Sequence, residues 1–378
     1  MTRMTITNAR IVTPESVVAG TVEVAGGQFV TVGNGSVGAR GAFDFEGDYL
    51  IPGLVELHTD NLERHFAPRP GVAWPGRYAV LAHDSQVAAA GITTVFDAVT
   101  VDDRTDFRVT PVQALVEAVS LASTRNVFRA EHFLHMRCEV SCAVMMDLFA
   151  PFRDHPLVRL ISLMDHTPGQ RQFVDLESYR EFYQKRFGYT DAQMRDHMQE
   201  RLLDQARHGN RNRRALLAAL DGRDIVLASH DDATRDQIDE AVREGITIAE
   251  FPTTLEAADT ARRNGLAILM GGPNLVLGGS HKGNVSTLDL AAAGLLDVLS
   301  SDYVPSSMLQ GIFIIRDTVQ DMTLSRAVAL ATSNPARAAR LEDRGEVACG
   351  KRADFVRVRE VDGVAVVRGT WRAGDRVI

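Results

Sequence analysis

The chain has 378 residues, 45% hydrophobic and 24% charged, which is ordinary for a globular protein and long enough for one large barrel or two average domains. Lys and Arg total 41 against 49 Asp and Glu, a net charge of −8; nothing in that balance favours nucleic acid, and an anionic substrate would have to be met by local cations or metals. No run approaches the ~18 apolar residues of a membrane span, the first residues lack an apolar signal core, and three scattered cysteines (Cys138, Cys142, Cys349) form no disulfide framework, so a cytoplasmic protein with no membrane partner is expected.

Residues 1 to about 48 alternate apolar and polar positions between Gly and Asn turns, as in Thr21-Val22-Glu23-Val24 before Gly26-Gly27, a β-rich pattern. Strand candidates follow at 54–57, 93–96, 132–139, 157–163, 225–229, 246–248, 266–270 and 298–301, separated in many places by helical stretches such as 80–90, 111–123 and 232–244. Eight strands with βα connections over residues 51–339 point to an α/β fold, a (β/α)8 TIM-like barrel with reactive groups at the C-terminal strand ends. An open doubly wound sheet is the alternative, but no G-x-G-x-x-G follows an early strand. Residues 167–214 break the rhythm and are too long for a βα loop. Met194, Met198, Leu202 and Ala206 recur there at helical spacing, so a helical insertion over the active face is expected, ending in a cationic cluster at 207–214. Beyond residue 340, two short strands flank Asp362-Gly363. Segments 1–50 and 340–378 are each too short for a core and are expected to join as one small β-sandwich domain.

The chemistry gathers at the strand ends. LIPGLVELHTDNLE (50–63) carries His58 and Asp60, two positions apart and so on one strand face. The next strands end in Glu139 (with His132, His135 and Arg137 upstream), His166, His230 and Asp302. One such histidine is usually structural. Three imidazoles and three carboxylates just past apolar strands are costly to bury unless metals or hydrogen bonds offset the desolvation. Mixed N/O donors suit zinc best, with manganese or iron as alternatives. Six ligands exceed one tetrahedral site, so two divalent ions sharing a carboxylate are expected, with Asp302 moving the proton. Such a pair acidifies water and polarises a carbonyl or phosphoryl oxygen, which makes hydrolysis the expected reaction. The glycine-rich run 271–284 contains Asn274, His281 and Lys282. Such loops are more often plain turns, but beside a metal site, with Arg211 in the cationic cluster, this one fits a small anionic, phosphate-bearing substrate.

PGLVELH, GITTV, SNPAR (333–337) and GEVACGKRADFV together resemble the amidohydrolase superfamily over nearly the whole chain. HTDNLE (58–63), RCEV (137–140), SLMDHTPGQ (162–170), SHDDAT (229–234), EFPTT (250–254), GGPNLVLGGSHKGN (271–284) and SSDYVPSSML (300–309) are similar to its phosphonate-metabolism branch. The resemblance implies a phosphoanhydride hydrolase releasing pyrophosphate from a ribose triphosphate that carries a methylphosphonate. It implies that His58 and Asp60 hold one metal, His166 and His230 the other, that Glu139 spans both, and that Asp302 takes the acid–base position. The runner-up within the superfamily is a cyclic-amide hydrolase or deaminase of dihydroorotase or hydantoinase type; a non-enzymatic assembly homologue ranks below it. Homo-oligomer formation is left open by the sequence.

Overall fold

The computed structural model describes residues 3–35, 41–69, 71–103, 111–171, 175–279 and 284–378. The expected barrel is present. Its strands are β6 (Leu54–Thr59), β7 (Ile92–Val101), β8 (Glu131–Glu139), β9 (Val158–Met164), β10 (Val226–His230), β11 (Ile248–Glu250), β12 (Ala267–Gly271) and β13 (Val298–Ser300), parallel and paired in sequence order. Strands covered on both faces read as near-continuous apolar runs, and β7, with a single half-buried position in ITTVFDAVTV, is the clearest case. Val55, Leu57, Phe96, Phe133, Leu160, Ile248, Leu269 and Val298 fill the barrel, joined by Ala336, Ala339 and Leu341 from the helix Ser333–Ala338 and the turn after it. That plug leaves the C-terminal strand ends for chemistry.

The seam between β13 and β6 is closed by a backbone bridge. Asp302 N donates to His58 O (3.1 Å), and Asp60 N donates to Asp302 O (2.9 Å). Inside the seam the buried Glu56 carboxylate accepts from His58 N (2.7 Å), Ser300 Oγ (2.8 Å) and Ser301 N (2.5 Å). Burial pushes its pKa up to about 7.

Both chain ends build one mixed sheet, in the order β16-β15-β14-β5-β1-β2-β3 with β4 paired to β1. The strands are β1 (Arg3–Val12), β2 (Val17–Ala25), β3 (Gln28–Asn34), β4 (Phe43–Asp44), β5 (Tyr49–Pro52), β14 (Phe355–Val361), β15 (Val364–Arg372) and β16 (Asp375–Arg376). They enclose a separate core of Ile6, Ile11, Val22, Phe29, Phe45, Leu50, Phe355 and Trp371. The chain passes from this sheet into the barrel at Gly53, where a Cβ would lie 2.2 Å from Thr93 Oγ1; only glycine fits that approach.

The insertion forms helices Leu176–Phe187, Asp191–Asp204 and Asn210–Leu220, the last two joined by a π-turn at Gln205–Gly209. Asp175 caps the first and a Thr190–Gln193 capping box starts the second, the side-chain acceptors that orphan N–H groups require. The expected apolar stripe is only partly buried: Leu202 is 49% exposed and Ala206 is exposed. The buried face instead carries Met194, His197 and Arg201, because Tyr179 and Tyr183 stack at 4.4 Å and Tyr179 Oη bonds His197 Nε2 at 2.9 Å.

Candidate metal centre

Three strand ends re-aim the chain through a local backbone feature. Asp231 and Phe251, directly after β10 and β11, and Asp302, two residues past β13, have positive φ (57°, 54° and 53°), a left-handed conformation that re-aims a side chain where an extended strand would continue. Two donor groups result. His58, Asp60 and Asp302 form one, and His166, His230 and Asp231 the other, with ligand atoms in each group within 4.8 Å of one another.

All three imidazoles are held by carboxylates through Nδ1. Fully buried Glu250 takes His58 Nδ1 on Oε1 and His230 Nδ1 on Oε2, both at 2.7 Å. Ser162 Oγ donates to the same Oε2 at 2.8 Å. Glu139 Oε2 lies 2.9 Å from His166 Nδ1, and its Oε1 accepts from Ser141 Oγ at 2.6 Å. With Nδ1 engaged, each Nε2 faces a carboxylate: His58 to Asp60 at 3.6 Å, His166 to Asp231 at 3.7 Å, His230 to Asp231 at 3.4 Å. Ligand bonds of 2.0–2.2 Å put two donors on one tetrahedral ion about 3.3–3.6 Å apart. A carboxylate behind each ligating imidazole is the usual support of a metal site. The residues present therefore fit divalent cations.

Arg137 stands between the groups. Its Nη1 donates to Asp60 Oδ1 (2.7 Å) and its Nη2 to His230 Nε2 (3.3 Å). Burial opposes ionisation of Asp60, but the Arg137 guanidinium and the nearby imidazoles outweigh it and hold the carboxyl far below its usual range. Burial likewise opposes the charge on His58, yet Glu250 and Asp60 raise its pKa to about 10. For His166, the bonds to Asp231 and Glu139 outweigh burial and raise it to about 9. Cations binding these nitrogens would displace those protons. Asp302 goes the other way, its pKa raised to about 6 by burial and then by the Asp60 charge.

The sequence-derived candidates fare unevenly. His58, Asp60, His166, His230 and Asp302 are brought together in the two groups. Glu139 belongs to neither: its carboxylate backs His166, and Asp231 is the carboxylate facing both His166 and His230. His132 and His135, the nearby alternatives, also stay out. His132 joins Asp97 and Asp84 in a separate buried network, and His135 bonds Leu57 O and Ser162. Asn274 lines a cavity of about 410 Å³ over the centre, together with His58, Asp60, Arg137, His230, Asp231, Asp302 and Tyr303. Arg211 does not line it; the side chain is exposed and bonds Asn212 Oδ1 at 3.4 Å. Its neighbours are structural: Arg213 pairs with Glu244, and Asn212 donates to the carbonyls of Val140 (3.0 Å) and Cys142 (2.7 Å). The insertion reaches the cavity through Arg186 instead. His281 and Lys282 lie outside the described residues. Sequence reasoning missed Glu250, Asp231 and Arg186. Asp231 had a signal, following His230 directly at a strand end.

The imidazole–carboxylate groups stand at the C-terminal strand ends of the (β/α)8 barrel, the face on which that fold carries its reactive groups. Residues 208–377 match the amidohydrolase family. The chain is 45% identical over 377 residues to alpha-D-ribose 1-methylphosphonate 5-triphosphate diphosphatase of Escherichia coli (strain K12), covering 99% of this chain and 100% of that protein. The chain belongs to the amidohydrolase family. In fold it is similar to 5-methylcytosine deaminase from Klebsiella pneumoniae (TM-score 0.68, 15% identity, 99% and 98% of the two chains). It is also similar to N-acetyl-D-glucosamine-6-phosphate deacetylase from Mycobacterium smegmatis (TM-score 0.64, 18% identity, 99% and 100%).

Proposed function

We propose that this chain hydrolyses a phosphoanhydride, releasing pyrophosphate from α-D-ribose 1-methylphosphonate 5-triphosphate in phosphonate breakdown. The observation that carries the reading is a pair of three-donor groups at one cavity, which is lined by five of those six donors together with Arg137. The full-length likeness to a triphosphate diphosphatase supports the choice of substrate. His58, Asp60 and Asp302 would hold one divalent ion, and His166, His230 and Asp231 a second, zinc being the best match to the donors with manganese or iron as alternatives. When bound, such ions supply charge that polarises a phosphoryl oxygen and makes water more acidic.

The chain's own groups do the rest. Asp302, which lines the cavity, takes a proton from the attacking water. The water oxygen bonds to the phosphorus next to the ribose. The bond from that phosphorus to the bridging oxygen breaks, its electron pair leaves on pyrophosphate, and Asp302 returns its proton to the leaving group or solvent. The Arg137 guanidinium, beside Asp60 and His230, is placed to offset charge on the phosphoryl oxygens.

Among the described residues no helix is long and apolar enough to cross a membrane. Cys138, Cys142 and Cys349 are free thiols, which suits a cytoplasmic setting. The test is pyrophosphate release by metal-reconstituted protein from the methylphosphonate triphosphate, with ATP and a cyclic ureide as controls. Selective turnover of the first is expected; turnover of the ureide alone would replace this reading with the cyclic-amide one.

A further inference from the structure

The cavity is lined by three carboxylates and two guanidinium groups. Asp60, Asp231 and Asp302 share it with Arg137, whose guanidinium is already committed to Asp60 and His230. Among the described residues the other guanidinium lining the cavity is that of Arg186, next to last in the helix Leu176–Phe187. Its guanidinium carbon lies 5.2 Å from the ring centre of Phe187 and 5.7 Å from that of Phe182. No carboxylate among the described residues pairs with it.

Packing fixes the backbone from which Arg186 projects. The helix that carries it is fixed by the Tyr179–Tyr183 stack against Met194 and by the Tyr179–His197 hydrogen bond, and it stops at Gly188 in the left-handed region (φ 70°). At its start the insertion is tied to the strand-end loop after β10, where buried Arg171 pairs with Asp232 and donates to His230 O at 3.3 Å. Near its end, Gln205 Nε2 donates to Asp165 Oδ2 at 3.4 Å, beside His166. Arg186 itself is exposed, on a segment anchored at both ends, so its donors are available to a ligand.

We infer that Arg186 holds the terminal, pyrophosphate end of the substrate's polyphosphate tail, so that the insertion sets the preference for a triphosphate. The inference rests on the phosphoanhydride reading of the site. With the reacting phosphorus at Asp302 and Arg137, the next two phosphoryl groups extend along the same cavity, whose lining offers them the Arg186 guanidinium. A guanidinium fork matches two phosphate oxygens at once, and it would also stay on the leaving group as the anhydride bond breaks.

The test uses the full, metal-loaded protein with Arg186→Ala and Arg186→Lys. Calorimetry reads binding of inorganic pyrophosphate, and kinetics compare the ribose triphosphate with the corresponding diphosphate. For Arg186→Ala, pyrophosphate binding is expected to weaken about tenfold and the triphosphate KM to rise by about the same factor. The expected kcat is nearly unchanged, the triphosphate-over-diphosphate preference is lost, and Arg186→Lys recovers part of each effect. An alanine variant with wild-type pyrophosphate affinity and an unaltered preference, in a preparation whose wild type turns over triphosphate, overturns the assignment. If the wild type turns over no triphosphate, the functional reading fails; pyrophosphate binding that still depends on Arg186 then supports the anion subsite, and binding that ignores it overturns that too.

Discussion

Glu250 Oε1 sits 2.7 Å from His58 Nδ1, and through its other oxygen the same carboxylate holds His230 at 2.7 Å, so one buried side chain sets the orientation of an imidazole in each donor group. Both rings must carry their proton on Nδ1, which leaves Nε2 for a cation. Glu250→Gln replaces one accepting oxygen by an N–H2 group and turns one of the two rings. Divalent-ion affinity is expected to fall about 10–100-fold, read by metal analysis after dialysis against a buffered ion. Unchanged affinity would remove Glu250 from this role.

Asp302 is both an acid–base candidate and part of the barrel seam, through backbone bonds to His58 and Asp60. Its φ of 53° is one that asparagine tolerates, so Asp302→Asn should keep the seam while losing the proton acceptor and the charge of one proposed metal donor. Turnover is expected to fall about 10²–10⁴-fold, with a thermal midpoint close to wild type. Near-normal turnover would show that another group takes the proton.

Arg137 is the counter-charge to Asp60 in the centre, and its Nε is buried without a partner among the described residues. Arg137→Met leaves the carboxylates to repel one another, at a cost of about 3 kcal/mol in protein stripped of ions. Divalent ions bound at the same carboxylates should recover most of that loss. Thermal melts with and without a chelator read the difference; an equal loss in both conditions would mean that Arg137 is not the neutralising group.

The eight barrel strands were legible because parallel strands covered on both faces must be apolar along their length, as β7 is. His58, Asp60, His166, His230 and Asp302 were legible because each lies within two residues of the C-terminal end of such a strand. Glu250 was not: β11 is three residues long, and the partner that gives Glu250 its meaning, His58, lies 192 positions away. Arg186 was hidden in a helix of alternating charges, while attention went to the denser cluster at 207–214, where Asn212 and Arg213 make structural contacts and Arg211 is exposed away from the cavity. The buried face of Asp191–Asp204 was misread because hydropathy alone favours Leu202, whereas a ring-to-ring core with Tyr179 selects His197.

Outside the centre, His132 bonds Asp97 Oδ2 at 2.7 Å, and His83 bonds Asp97 Oδ1 at 2.7 Å. Burial alone would lower the His132 pKa, but the Asp97 charge and the bond to Asp84 outweigh it and raise it from 6.5 to about 9. A raised folded-state pKa contributes stability that is fully present below pH ~6.5 and lost as pH rises through about 9. The difference corresponds to on the order of 3 kcal/mol; the depressed pKa of Asp97 is the same interaction seen from its partner. Wild type should therefore exceed His132→Asn in urea resistance at about pH 6, and the gap should narrow by about pH 9.5. A gap constant across that range would remove the charge from the account.

The sheet made by the two chain ends has a consequence for synthesis. Val356 pairs with Ile51, a separation of 356 − 51 = 305 positions. At about 5–20 residues per second, β5 waits roughly 15–60 s on the ribosome before its C-terminal neighbour β14 is made. Every residue of the metal centre is made before that neighbour. A chain truncated before Phe355 would carry the complete chemical apparatus on a barrel with an open sheet edge beside it, so its fate would depend on chaperones and proteases and not on any missing catalytic group.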